Sequence, residues 1–159
     1  MRVRIHILAL VGALTLAACA QQPAIYGTHS YSCCVETTGT TWWHAGQTLT
    51  LHWQPTPPGR TTDPTRHQIV LSLNLTGPFA NVDALKQAIS QGSKLAGVRT
   101  ISAAPVFAND KVVEAPASQL YLPADLPPGF YNVASQTVEA GQSLGGAAII
   151  KVIPPDQPQ

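Results

Sequence analysis

Charge is scarce in this chain: Asp, Glu, Lys and Arg make up only 11% of it, and 9 bases against 8 acids leave a formal charge of +1. So balanced a composition offers no basic patch of the kind nucleic acid requires. Neither H-E-x-x-H nor a glycine-rich phosphate loop occurs, which removes the commonest zinc-hydrolase and nucleotide-binding readings. The acids Glu36, Asp63, Asp83, Asp110, Glu114, Asp125, Glu139 and Asp156 are scattered singly. A glycosidase needs two facing carboxylates, which this spacing does not supply, although Asp110 and Glu114 could converge in space. Cysteine is limited to 3 residues with no C-x-x-C, so a four-ligand zinc site is not written here. No apolar run approaches the roughly 20 residues that span a bilayer as a helix.

The chain begins with Met1-Arg2-Val3-Arg4, a short cationic segment, and then a nearly unbroken apolar run from Ile5 to Leu16. That order, with a run of only about a dozen residues, reads as a cleaved signal peptide. Leu16-Ala17-Ala18-Cys19 follows and resembles the lipobox of bacterial lipoproteins. The resemblance implies removal of residues 1–18 and a diacylglyceryl group on the Cys19 thiol. Several acyl chains anchor a protein stably where one does so only marginally. Cleavage takes away Arg2 and Arg4 and brings the net charge near −1. Ala20 stands where aspartate would resemble an inner-membrane retention signal, so the expected location is the cell envelope, at the outer membrane of a host with two membranes.

Residues 19–40 read as a lipidated tether ending in an edge strand, and the proline-rich tail 154–159 cannot continue a sheet,. Between them the pattern has period two. In Gln47–Gln54, Leu49, Leu51 and Trp53 share one face; in His67–Thr76, Ile69, Leu71, Leu73 and Leu75 do. Further strands are expected at 98–103, 119–122, 130–138 and 147–153, each bounded by turn residues,. One helix interrupts them at about 81–91, with Asn81 as N-cap, Asp83 in its first turn, a stripe of Val82, Leu85 and Ile89, and Gly92 as its stop,. It is expected across an open end of a mainly antiparallel β-sandwich spanning 41–153.

Two stretches carry a second resemblance. Trp42-Trp-His-Ala-Gly-Gln-Thr-Leu-Thr-Leu-His-Trp53 enters an alternating strand through a glycine turn, and Leu126-Pro-Pro-Gly-Phe-Tyr-Asn-Val133 is a proline-glycine corner followed by tyrosine at 131. They look like the B strand and the E–F corner of immunoglobulin-like and fibronectin type III-like domains. The first also resembles cell-wall-associated Ig-like domains of fungal surface proteins. The resemblance implies a tyrosine corner at Tyr131, whose hydroxyl would bond an upstream backbone group, and the central core aromatic at Trp53. It implies no chemistry.

Two features stay open. Cys33 and Cys34 are adjacent and could bridge to each other, bridge to a second molecule, or join His29 in a soft-metal site. Of Trp42 and Trp43, strand geometry allows at most one into the core. The other would be free to stack on a sugar ring or a partner protein, unless both pack beneath the tether or the Pro55–Pro58 loop. The expectation is a lipid-anchored, non-enzymatic binding or structural module without cofactor, meeting an envelope protein or cell-wall glycan through sheet edges or end loops, with Trp42 and Trp43 as candidate partner-binding residues. The alternative is a periplasmic metal-handling or redox protein using Cys33, Cys34 and His29.

Overall fold

A computed structural model of the chain describes residues 24–35, 42–92, 98–154 and 156. The signal segment 1–18 and the lipobox Cys19 lie outside the described residues. The body is mainly β, with eleven strands and one helix among the described residues. The strands are β1 (Tyr26–Thr28), β2 (Tyr31–Val35), β3 (Trp42–His44), β4 (Thr48–Pro55), β5 (Gly59–Thr61), β6 (Gln68–Phe79), β7 (Arg99–Ser102), β8 (Val106–Asn109), β9 (Ala117–Tyr121), β10 (Gly129–Glu139) and β11 (Gln142–Ile153). The helix, α1, is Val82–Gln91. No described helix is long and apolar enough to cross a membrane.

Three sheets form. β2-β4-β9 is one, β3-β11-β10-β6 with β7 and β8 sharing the outer edge of β6 is the second, and β1-β5 is a small third. The first two pack face to face because their strands alternate. Leu49 and Leu51 of β4 and Leu120 of β9 meet Leu73 and Leu75 of β6, Tyr131 and Val133 of β10, and Ile150 and Val152 of β11. Burying apolar side chains of this size stabilises the fold by about 1.5–3 kcal/mol each. Pairing is antiparallel throughout except between β3 and β11. A hydrogen bond also joins the layers, from Thr137 Oγ1 on β10 to the Tyr31 carbonyl on β2 at 2.9 Å.

Trp53 and Tyr31 form a second core cluster with Ile69, Leu71 and Ala108. Trp53 therefore anchors one end of the interior, its Nε1–H donating to Ser118 Oγ at 2.9 Å, whereas the largest cluster is built around Tyr131. Tyr31, only 2% exposed, lies in β2, an edge strand of its sheet within the stretch where a tether ending in an edge strand was expected. The ordered body takes in Tyr26–Val35, because a buried tyrosine ring and ladder bonds to β4 and β5 hold that segment in place.

The helix is capped as its sequence requires. Asn81 Oδ1 accepts from Ala84 N–H at 2.8 Å, and Gly92 closes the other end with φ 61°. Its buried face is a correction. Leu85 and Ala88 go inward while Ile89 remains 51% exposed. They pack with Phe79, Phe130 and Ile149, residues that alternate with the core-facing Tyr131 and Ile150. The helix thus covers the outer face of the larger sheet, where an open end of the sandwich was expected.

Candidate functional site

The outer face of the larger sheet gathers the most functional potential. β3 runs parallel to the last residues of β11, which places Trp42 beside Lys151. Lys151 in turn is paired with Phe130 on β10, and Phe130 with Phe79 on β6. Side chains of laterally paired residues leave a sheet on the same face, so four strands lay indole, ammonium and two phenyl rings in a row. Neighbouring strands are about 4.8 Å apart, so Trp42 and Phe130 stand about 10 Å from each other. Lys151 Nζ lies 5.7 Å from the centre of the Phe130 ring, within cation–π range. Trp42 is 45% exposed, and the Phe130 ring packs against Leu85 and Ala88 of α1 and Phe79. One residue further along this face, Asn132 Oδ1 is buried and accepts no hydrogen bond among the described residues.

The two tryptophans separate as strand geometry requires. Trp42 is exposed, whereas Trp43 is half-buried against the main core. The Trp43 Nε1–H and His44 Nδ1 are buried without partners among the described residues. His44 is held by its backbone N–H, which donates to Gln47 Oε1 at 2.8 Å. Tyr131 is buried, and its hydroxyl donates to the Pro127 carbonyl at 2.7 Å. Burial pushes the Tyr131 phenol up to about 12, against a smaller opposing effect of the Arg99 charge.

Cys33 and Cys34 are bonded to each other. They occupy a bulge, because Ser32 pairs with Gln54 and Val35 with His52, leaving one extra residue on β2,. Both line a small crevice between the sheets, about 130 Å³ in volume, with Leu51, Val133, Ser135 and Ile150. His29 is not part of it. Its Nε2 meets the Tyr31 hydroxyl at 3.1 Å, and no group of three or more His, Cys, Asp or Glu that could hold a metal occurs among the described residues.

A polar cluster forms around Asp110, whose burial and pairing with Lys111 were not legible in the sequence. Asp110 is 1% exposed, yet it pairs with Lys111 Nζ at 2.9 Å and accepts the His67 backbone N–H at 2.8 Å. Its backbone carbonyl accepts from His29 N–H at 3.0 Å. Burial works to raise its carboxyl, but the hydrogen bonds from Lys111 and His67, with their charges, hold it below the usual range. Asp110 therefore clamps three loops together. Glu114 is exposed, and it is the Glu114 backbone N–H that reaches this network, donating to the Tyr31 hydroxyl at 3.2 Å. Gly141-Gln-Ser143-Leu-Gly145 has the G-x-S-x-G spacing of a nucleophile elbow. That motif works as a strand-to-helix turn, whereas these residues form a hairpin turn and the start of β11.

Neither Lys151 nor Phe130 stood out in the sequence. Alternation in Phe130–Val138 and Ala147–Ile153 gives their faces, but only the register places them beside Trp42. No protein-family model matches the chain, and no curated protein matches it.

Proposed function

We propose that this chain is a lipid-anchored lipoprotein of the bacterial cell envelope whose immunoglobulin-like sandwich is a non-enzymatic binding module. The leader and the Leu16–Cys19 lipobox support the anchor. The Ig-like reading is supported by the strand order, β2-β4-β9 against β3-β11-β10-β6 with the first strand of the larger sheet parallel to its last. The Tyr131–Pro127 bond at the corner before β10 supports it too,. The observation that carries the binding role is the row Trp42–Lys151–Phe130. An exposed indole flanked by a cation and a second aromatic ring suits the apolar face and hydroxyl rim of a sugar, and cell-wall glycan is the partner an envelope location offers.

Full-length protein in detergent, sedimented with purified cell-wall glycan, tests this. Trp42→Ala should cut the retained fraction about tenfold or more, as loss of a central aromatic anchor does; equal retention of the variant would end the reading. Cys19→Ser should release the protein from membranes, and continued membrane partitioning would remove the lipid anchor from the account.

A second reading, a redox or metal-handling protein, rests on the position of Cys33 and Cys34 in the lining of the inter-sheet crevice, and it requires their bond to be reduced. Free thiols together with stoichiometric copper or zinc in the purified protein would favour it.

A further inference from the structure

Among the described residues, the first half of β11 is an edge. β3 pairs only with Lys151–Ile153, and among the described residues no strand adjoins β11 between Gln142 and Ala148 on the side away from β10. β10 and β11 are joined by a two-residue turn at Ala140-Gly141, both with positive φ, closing on the pair Glu139–Gln142. In such a hairpin the closing pair is hydrogen-bonded and alternate residues point outward. Ser143, Gly145 and Ala147 therefore direct their backbone N–H and C=O groups away from β10. Long exposed edges are ordinarily blunted by charge, proline or a bulge. Gln142-Ser-Leu-Gly-Gly-Ala-Ala148 contains no charge and no proline, and its register with β10 is unbroken.

We propose that this edge pairs with the same edge of a second copy, antiparallel about a two-fold axis at Gly145. The stretch is its own complement. With the axis there, Ser143 faces the other copy's Ala147, and Leu144 faces its Gly146. Leu144 is 68% exposed on the strand face shared with Ile150, and Gly146 has no side chain to oppose it. The two leucines become diagonal neighbours about 7–8 Å apart, within reach of apolar contact. Gly146 must stay small for its own reasons, since a Cβ there would lie 2.9 Å from Ser135 Oγ. An uncharged edge also spares a symmetric pair the like-charge contacts that any charged residue near the axis would create. An edge-only contact falls at the small end of specific interfaces, below about 1,200 Å² in total. Such a dimer is weak in dilute solution and is favoured where copies are crowded on one membrane.

Cysteine scanning of the full-length protein in cell membranes tests the register. Directly opposed residues lie within the Cα separation that a disulfide spans, about 4.4–6.8 Å. Gly145→Cys fits the fold, because its Cβ would meet only the Ser135 carbonyl at 3.5 Å. Under mild oxidation Gly145→Cys should give a species of doubled mass, while wild type should give none. Two copies of Ser143→Cys would stand four residues apart, about 13 Å, and should not cross-link. Adding Ala147→Lys to Gly145→Cys should lower the cross-linked fraction at least tenfold with an unchanged circular dichroism spectrum. Equal cross-linking at positions 143 and 145, or none at 145, overturns the proposal, and the second result leaves the edge to an extended segment of another protein.

Discussion

Tyr131 shows how much one side chain can organise. Its ring lies so close to β6 that a Cβ on Gly77 would come within 2.5 Å of Tyr131 Cδ1 and 2.8 Å of the Phe130 carbonyl. Gly77→Ala should therefore destabilise the fold by about 2–3 kcal/mol, the cost of overpacking, read from urea unfolding. Tyr131→Phe keeps the ring and removes the bond to Pro127, costing about 1 kcal/mol. The phenol also predicts a pH dependence. Its folded value of about 12 lies above the unfolded 10.0, so its contribution is complete below pH 10 and is lost as the pH rises toward 12. Thermal melts across that window should show the decline in wild type and a weaker one in Tyr131→Phe; identical curves would remove Tyr131 as its source.

Among the elements, α1 and the bulge that precedes it belong together. Thr76 pairs with Asn132 but Phe79 with Phe130, so β6 carries one residue more than β10 there. With a side-chain period of two, one extra residue exchanges faces. Phe79 consequently turns from the interior side, held by Leu73 and Leu75, to the outer side, where Leu85 and Ala88 meet it. The apolar pattern of Asn81–Ile89 admits either Ala88 or Ile89 beside Leu85, and the position of Phe79 decides. Leu85→Ala should cost about 2–5 kcal/mol as a cavity in a packed cluster, whereas Ile89→Lys should stay within about 0.5 kcal/mol. Comparable losses for the two in chemical denaturation would mean that the buried face is wrongly assigned. β1, β5 and β8 escaped the sequence reading for a related reason: at three or four residues each, they are too short for alternation to register by itself.

For the molecule as a whole, the loops at one end hang on Asp110. It joins the segment before β2, the loop before β6 and the start of the β8–β9 connection through His29, His67 and Lys111. Its folded carboxyl titrates below the unfolded value of 3.8. The stability it contributes is thus present above about pH 4 and is lost as the pH falls through the folded value. Asp110→Asn, which keeps an acceptor for His67 but strands the Lys111 charge, should cost roughly 1–3 kcal/mol at pH 7. It should also flatten the acid limb of a melting-temperature profile. An unchanged acid limb would assign that limb to other carboxylates.

The amino-acid order by itself determined the strands whose faces alternate over eight or more residues, Thr48–Pro55 and Gln68–Thr76 among them. It also determined the capped helix. Such signals are local: a repeat of two, a side chain accepting from a backbone N–H three residues on, a glycine able to take positive φ. Tertiary structure alone decided that Tyr31 is buried, that Trp42 stands beside Lys151, and that among the described residues half of β11 has a neighbour on one side only. These depend on which strands become neighbours and in what register, a choice made between residues scores of positions apart. A single inserted residue can reverse it, because each side chain's face follows the parity of its place in the ladder.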